Sequence, residues 1–306
     1  MNRTRITVCA AWIGLTTAGL AGFSRPAGAA DSVSETVASG LVKKSYDQLS
    51  DRNVSRAGEQ ALGMKSVKWE HGETEHFVFH TESGFAVPQL AGATEEFYAN
   101  IKKDLGIDED TFQRKSHIYV FLNEAAWKEF AGHNHLDVWT GGICNGRELF
   151  LQSRAHYSFQ GTTLTHELTH LTLYRFVGGD IPLWLNEGFA EFESSRFYRL
   201  YLKKRNHQLS GLPTHVDRQH YIPLSRLTMA VDYPRAREDV PAFYMESRRL
   251  VAFLYDRYGG MKNLMKFIKL QSQGITFENA GNQAYGSPFR DLDAFEKQFS
   301  TELLTP

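Results

Sequence analysis

Two short runs hold the residue types and spacing of a metal site. His166-Glu167-Leu168-Thr169-His170 sets two imidazoles four residues apart, with a carboxylate beside the first. Residues four apart share a face of a helix, so both rings can reach one ion; Glu167 is turned about a third of a turn from them, close by without being a ligand. Sixteen residues then intervene before Glu187, and Asn186-Glu187-Gly188-Phe189-Ala190-Glu191 sets two further carboxylates four apart. Hydrolytic zinc takes three protein ligands and keeps a fourth position open, and two histidines with a glutamate are an established set. Glu187 is therefore the candidate third ligand for a single Zn2+. Glu191, one turn on, is suited to accept the free N–H of a ligating histidine, which fixes the ring and its tautomer.

Both runs must sit on helices held by a core. Leu164, Leu168 and Leu171 form an apolar stripe apart from the histidines, which anchors a helix over residues 162–177 with Gly178-Gly179 beyond its end. Trp184, Leu185, Phe189 and Phe192 make the second run too apolar to lie free on a surface, and a helix is expected from about Trp184 to Arg199. Ahead of them, alternation predicts strands at 75–80, 117–122 and 147–152. Helices are predicted over 90–105 and 124–131, and a Gly-rich loop over 132–146. After residue 200 comes a basic, loop-rich stretch with Lys203-Lys204-Arg205 as a solvated loop. Helices are then expected at 242–258, 261–271 and 291–303. Strands first and helices afterwards predict an α+β fold with a site between two lobes, residues 65–180 and 181–306.

The 306 residues carry 34 lysines and arginines against 35 aspartates and glutamates. That balance excludes a broadly basic surface for nucleic acid. Arg3 and Arg5, the uncharged run Ile6–Leu20 and Ala27-Gly28-Ala29-Ala30 have the order of a secretory signal peptide over residues 1–30. An uncleaved anchor is the alternative, since residues 6–24 carry no charge. Cleavage predicts an exported, periplasmic or secreted, chain without a stable membrane span. It would also remove Cys9 and leave Cys144 as the one thiol, so no internal disulfide could form. Residues 31–64 read as a polar extension, helical or loose, or as a pro-segment.

The pair His-Glu-Leu-Thr-His and Trp-Leu-Asn-Glu-Gly-Phe-Ala-Glu resembles the gluzincin metallopeptidases, and more narrowly the bacterial peptidase MA-like group. The likeness continues through Tyr221-Ile222-Pro223-Leu224 and from Tyr244 to Gly259, so that it spans roughly residues 67–304. It implies a zincin-like fold, His166, His170 and Glu187 as zinc ligands, Glu167 as general base and a peptide or protein substrate. It also implies a tyrosine or histidine from the C-terminal lobe that stabilises the oxyanion. Tyr244 is the candidate, with His215, His220, Tyr221 and Tyr233 as competitors. The strand at 147–152 stands where gluzincins have an edge strand for the substrate backbone. In the loop before it, Gly141-Gly142-Ile143-Cys144-Asn145 stands where zinc aminopeptidases carry Gly-x-Met-Glu-Asn. The glutamate that grips a substrate amino terminus is replaced by Cys144, which favours endopeptidase over aminopeptidase action. Two alternatives stay open: a non-catalytic, zinc-stabilised binding module of the cell envelope, and a zinc hydrolase of non-peptide amides. The pairs His76/His80 and His133/His135 read as surface polar groups, and Cys144 as a buried or substrate-proximal thiol.

Overall fold

β-Branched and aromatic runs gather in the first half of the chain and helical periodicity in the second, and the computed structural model follows that division. It describes residues 40–82, 87–108, 114–136, 141–152, 161–204 and 218–304. The signal-peptide reading, His215 and Arg205 lie outside the described residues. Six strands form one sheet: β1 (Val42–Lys44), β2 (Glu70–Glu73), β3 (Phe77–Thr81), β4 (Ser116–Phe121), β5 (Gly142–Asn145) and β6 (Glu148–Gln152). Their spatial order is β1-β2-β3-β4-β6-β5. β3, β4 and β6 run parallel, while β1, β2 and β5 pair antiparallel to their neighbours.

Successive side chains of a strand point to opposite faces. On β4, Ile118 and Val120 join a core with Phe97 and Ile101 of α2 (Val87–Asp104) and Leu164, Leu168 and Leu171 of α4 (Gly161–Phe176). Tyr119 and Phe121 point the other way, toward Ala61 of α1 (Arg56–Leu62) and Trp127 and Phe130 of α3 (Glu124–His133). Coverage of both faces is why β3 and β4 are buried at every position. Each fully buried Phe or Leu in these layers contributes about 1.5–3 kcal/mol.

Residues 45–58 strap the second face and cover polar groups. Ser50 donates its backbone N–H to Glu73 Oε2 at 3.1 Å, and Ser55 donates its own to Glu148 Oε1 at 2.8 Å. Beneath the strap runs a chain of imidazoles. His71 Nδ1 lies 2.8 Å from His80 Nδ1, His80 Nε2 lies 2.9 Å from His117 Nδ1, and His117 Nε2 faces Asp51 Oδ1 at 3.9 Å. The His80 ring is stacked on those of His117 and Tyr119. The surface reading of His80 is thus corrected: the side chain is fully buried. His76 sits just ahead of β3 and reaches Glu95 Oε2 at 2.6 Å. His133 and His135 are exposed, as expected.

The second half is helical. α5 (Leu183–Lys204) packs on α4 on one side and on α7 (Val240–Arg257) on the other. The short α6 (Leu224–Leu227), α8 (Gly260–Ser272), α9 (Phe277–Tyr285) and α10 (Leu292–Leu304) complete it. The fold is α+β, with a mixed sheet ahead of a mainly helical region. Several details depart from the sequence expectations. β5 occupies part of the stretch read as loop, because Gly146-Arg147 is the two-residue turn of a β5–β6 hairpin, with Gly146 at φ 62°. β6 is consequently interior, between β4 and β5, so the edge expected at 147–152 belongs to β5 instead. α5 runs on to Lys204, and α9 was not foreseen.

Candidate active site

α4 lies against the sheet by Leu164, Leu168 and Leu171, all fully buried, and its opposite side turns His166 and His170 toward α5. Pro182 precedes α5, and Trp184, Leu185 and Phe189, again fully buried, fix which face the helix presents. That face presents Glu187. The three side chains meet: His166 Nε2 and His170 Nε2 are 3.0 Å apart, and Glu187 Oε2 is 3.3 Å from the first and 3.6 Å from the second. All three residues are buried, and their donor atoms lie within 4.8 Å of one another.

The other ends of the two rings are also held. His166 Nδ1 lies 2.9 Å from Glu191 Oε1, the role expected for that residue. His170 Nδ1 donates to Asn186 Oδ1 at 3.0 Å. A carboxylate and an amide oxygen only accept, so both rings keep their proton on Nδ1 and turn the Nε2 lone pair to the cluster. Sequence reasoning passed over Asn186; its place just before the candidate ligand, sixteen residues from His170, was the available signal.

The carboxylates draw positive charge into the cluster. Burial works against a charged His166, yet Glu187 and Glu191 outweigh it and raise the affinity of the ring for a proton well above the usual range. Burial likewise works to raise Glu187, but His170 and His166 hold it below the ordinary carboxylate range. Glu187 Oε2 has no hydrogen-bond donor among the described residues. Two lone pairs and an unsatisfied carboxylate oxygen converging in a buried pocket fit a divalent cation, and two imidazoles with a carboxylate suit zinc.

Glu167 is fully buried next to the cluster, with the backbone N–H of Cys144 on the edge strand acting on its carboxyl. Burial is the main reason that its carboxyl is pushed up to about 8; Glu187 and Glu191 add to it and His166 opposes. Its stem packs on the edge strand: a Cβ added at Gly142 would lie 3.2 Å from Glu167 Cγ and 3.1 Å from Thr163 Cγ2. Glycine at this position lets β5 approach the α4 face that carries Glu167. Cys144, two residues along β5, is buried, and burial raises its thiol well above the usual range, with Glu167 adding to the effect.

Tyr244, in the first turns of α7, has its ring centroid 6.4 Å from that of His166 and 6.0 Å from that of Tyr233. Tyr233 donates its hydroxyl to Glu187 Oε1 at 2.6 Å. The other competitors are engaged elsewhere. Tyr221 donates to Glu296 Oε1 at 2.8 Å, and His220 Nδ1 pairs with Asp239 at 3.0 Å.

The cluster lies between the sheet layer and the helical region, and its three residues could hold one metal ion. The chain belongs to the Peptidase MA superfamily, whose profile matches residues 99–304. The match takes in α4, α5 and all the helices after them, and it makes peptides or proteins the substrate class. No curated protein matches the chain at a significant level. No helix among the described residues is long and apolar enough to cross a membrane.

Proposed function

We propose that the chain is an exported zinc peptidase that cleaves within peptide chains, with His166, His170 and Glu187 as zinc ligands and Glu167 as general base. The observation that carries this reading is the convergence of the three donor atoms beside a fully buried carboxylate. Zinc at such a set acts as a Lewis acid on the scissile carbonyl and brings the pKa of a water down to near 7. The remaining work falls to the side chains. Glu191 and Asn186 keep the Nε2 lone pairs inward. Glu167 takes a proton from the attacking water and delivers it to the departing amine nitrogen, which needs a base whose pKa lies near the working pH. Tyr244 is the candidate donor to the oxyanion, from its position beside the His166 ring.

The edge of β5 offers its backbone to an extended substrate, so the scissile bond would lie against the side of the sheet nearest Glu167. The Gly142–Asn145 strand has no acidic side chain to bind a substrate amino terminus, and this supports endopeptidase over aminopeptidase action. Export rests on the basic, apolar and small-residue order of residues 1–30.

The test is zinc analysis and peptide-library hydrolysis by the wild type and Glu167→Gln. The variant should keep one zinc and lose at least about a hundredfold in kcat. Absence of bound zinc after reconstitution overturns the reading. Equal hydrolysis by both proteins removes Glu167 from the chemistry and favours the binding module. Turnover confined to non-peptide amides replaces the substrate class.

A further inference from the structure

Glu187 uses its two oxygens differently. Oε2 faces His166 and His170 at 3.3 and 3.6 Å, while Oε1 accepts the Tyr233 hydroxyl at 2.6 Å. Tyr233 belongs neither to α4 nor to α5. It lies between α6 and α7, forty-six residues beyond Glu187, and its ring is packed edge-on against Phe243 and near-parallel to Tyr244. A short hydrogen bond to a carboxylate removes one of its oxygens from competition and fixes the rotation of the group. A ligand held in this way favours the cation's approach to the other oxygen.

We infer that Tyr233 is a positioning residue for the metal: its hydroxyl makes Glu187 a one-oxygen ligand and thereby sets the zinc affinity of the cluster. The inference rests on the zinc-peptidase reading above and adds to it the device that orients the third ligand. Three observations carry it. The hydroxyl donates to the oxygen that faces away from the imidazoles. Glu187 is fully buried, so water does not supply the same hydrogen bond. Packing on Phe243 and Tyr244 holds the phenol ring. Partners of a ligating histidine or carboxylate outside the coordination shell typically change metal affinity by about 10–100-fold. Glu191 and Asn186 serve the two imidazoles in this way, and Tyr233 completes the set by serving the carboxylate.

The role differs from that of an oxyanion donor, and the difference can be measured. Tyr233→Phe keeps the ring and its packing and removes only the hydroxyl. Zinc affinity, read by competition with a chromogenic chelator, should fall about 10–100-fold. At saturating zinc, kcat should stay within a few-fold of the wild type, with KM unchanged. In a Glu187→Ala background the same change should have little further effect on zinc affinity, about twofold or less, because its target is gone. Unchanged zinc affinity in Tyr233→Phe overturns the inference, and so does a loss of kcat that saturating zinc fails to restore. A wild type that binds no zinc at all defeats the function reading itself. A wild type that binds zinc, with a variant that binds it equally well, defeats only the role of Tyr233.

Discussion

The imidazole chain beneath residues 45–58 should make the protein acid-labile through groups far from the proposed centre. Burial is the main cause that brings His117 down to about 4, with Asp51 opposing and Arg175 adding to the effect. Burial also carries His80 well below its usual range, and the neighbouring His117 and His71 push the same way. These rings are neutral when folded. Below about pH 6.5 the unfolded chain binds protons that the folded one refuses, so the stability from this source is complete above that value and drains away as the pH falls toward about 4. For His117 a displacement of about 2.5 units at 1.36 kcal/mol each amounts to about 3 kcal/mol, lost at up to about 1.4 kcal/mol per pH unit. His80 adds to that slope. The assay is urea unfolding of the metal-stripped protein at several pH values between about 7.5 and about 4.5, for the wild type and His117→Gln. Glutamine keeps a polar partner for His80 and cannot titrate. The variant line should be shallower by about 1 kcal/mol per pH unit whatever its absolute stability. Parallel lines would refute the reasoning, since the acid sensitivity would then arise from other groups.

Two further outcomes follow from the packing around the cluster. Glu191→Ala and Asn186→Ala each release one ring Nδ1, and each should weaken zinc binding by about 10–100-fold in chelator competition without loss of the helical circular-dichroism signal; unchanged affinity would mean that packing alone orients the rings. At Gly188 an added Cβ would collide with the carbonyl oxygen of Ser247 on α7. Gly188→Ala should therefore cost about 1–3 kcal/mol and lower Tm by several degrees, and an unchanged Tm would show that the two helices can separate at little cost.

The chemistry was far more legible than its surroundings. The His166–His170 pair and the Glu187–Glu191 pair follow from helical spacing, because residues one turn apart share a face wherever the helix lies, whereas the meeting of Glu187 with the imidazoles is a contact between two helices. Tyr233 could be named as a candidate but not placed, since forty-six residues separate it from the carboxylate that it touches and no local pattern spans that distance. β5 was hidden by its own turn: Gly141-Gly142 and Asn145-Gly146 read as loop, although Asn145 is the last paired residue of β5 and Gly146 opens the two-residue turn of a hairpin. His80 looked solvent-facing because alternation reports polarity along a strand and says nothing of a segment thirty residues earlier that folds over it. α9 is short and buries the small residues Ala280, Gly281 and Ala284, with Gly281 close against the ring of Phe289; tertiary contact rather than propensity holds it.

The close approach at Gly188 has a mechanical consequence. With α5 resting on the backbone of α7, the helix that presents Glu187 and the helix that begins near Tyr244 turn as one piece. Swinging that piece about the 177–182 turn would pull Glu187 away from the two imidazoles of α4. A cation bound across α4 and α5 would therefore act as a bolt against such a swing. Chelation, by drawing the bolt, should loosen the seam between the sheet layer and the helices before it loosens either half.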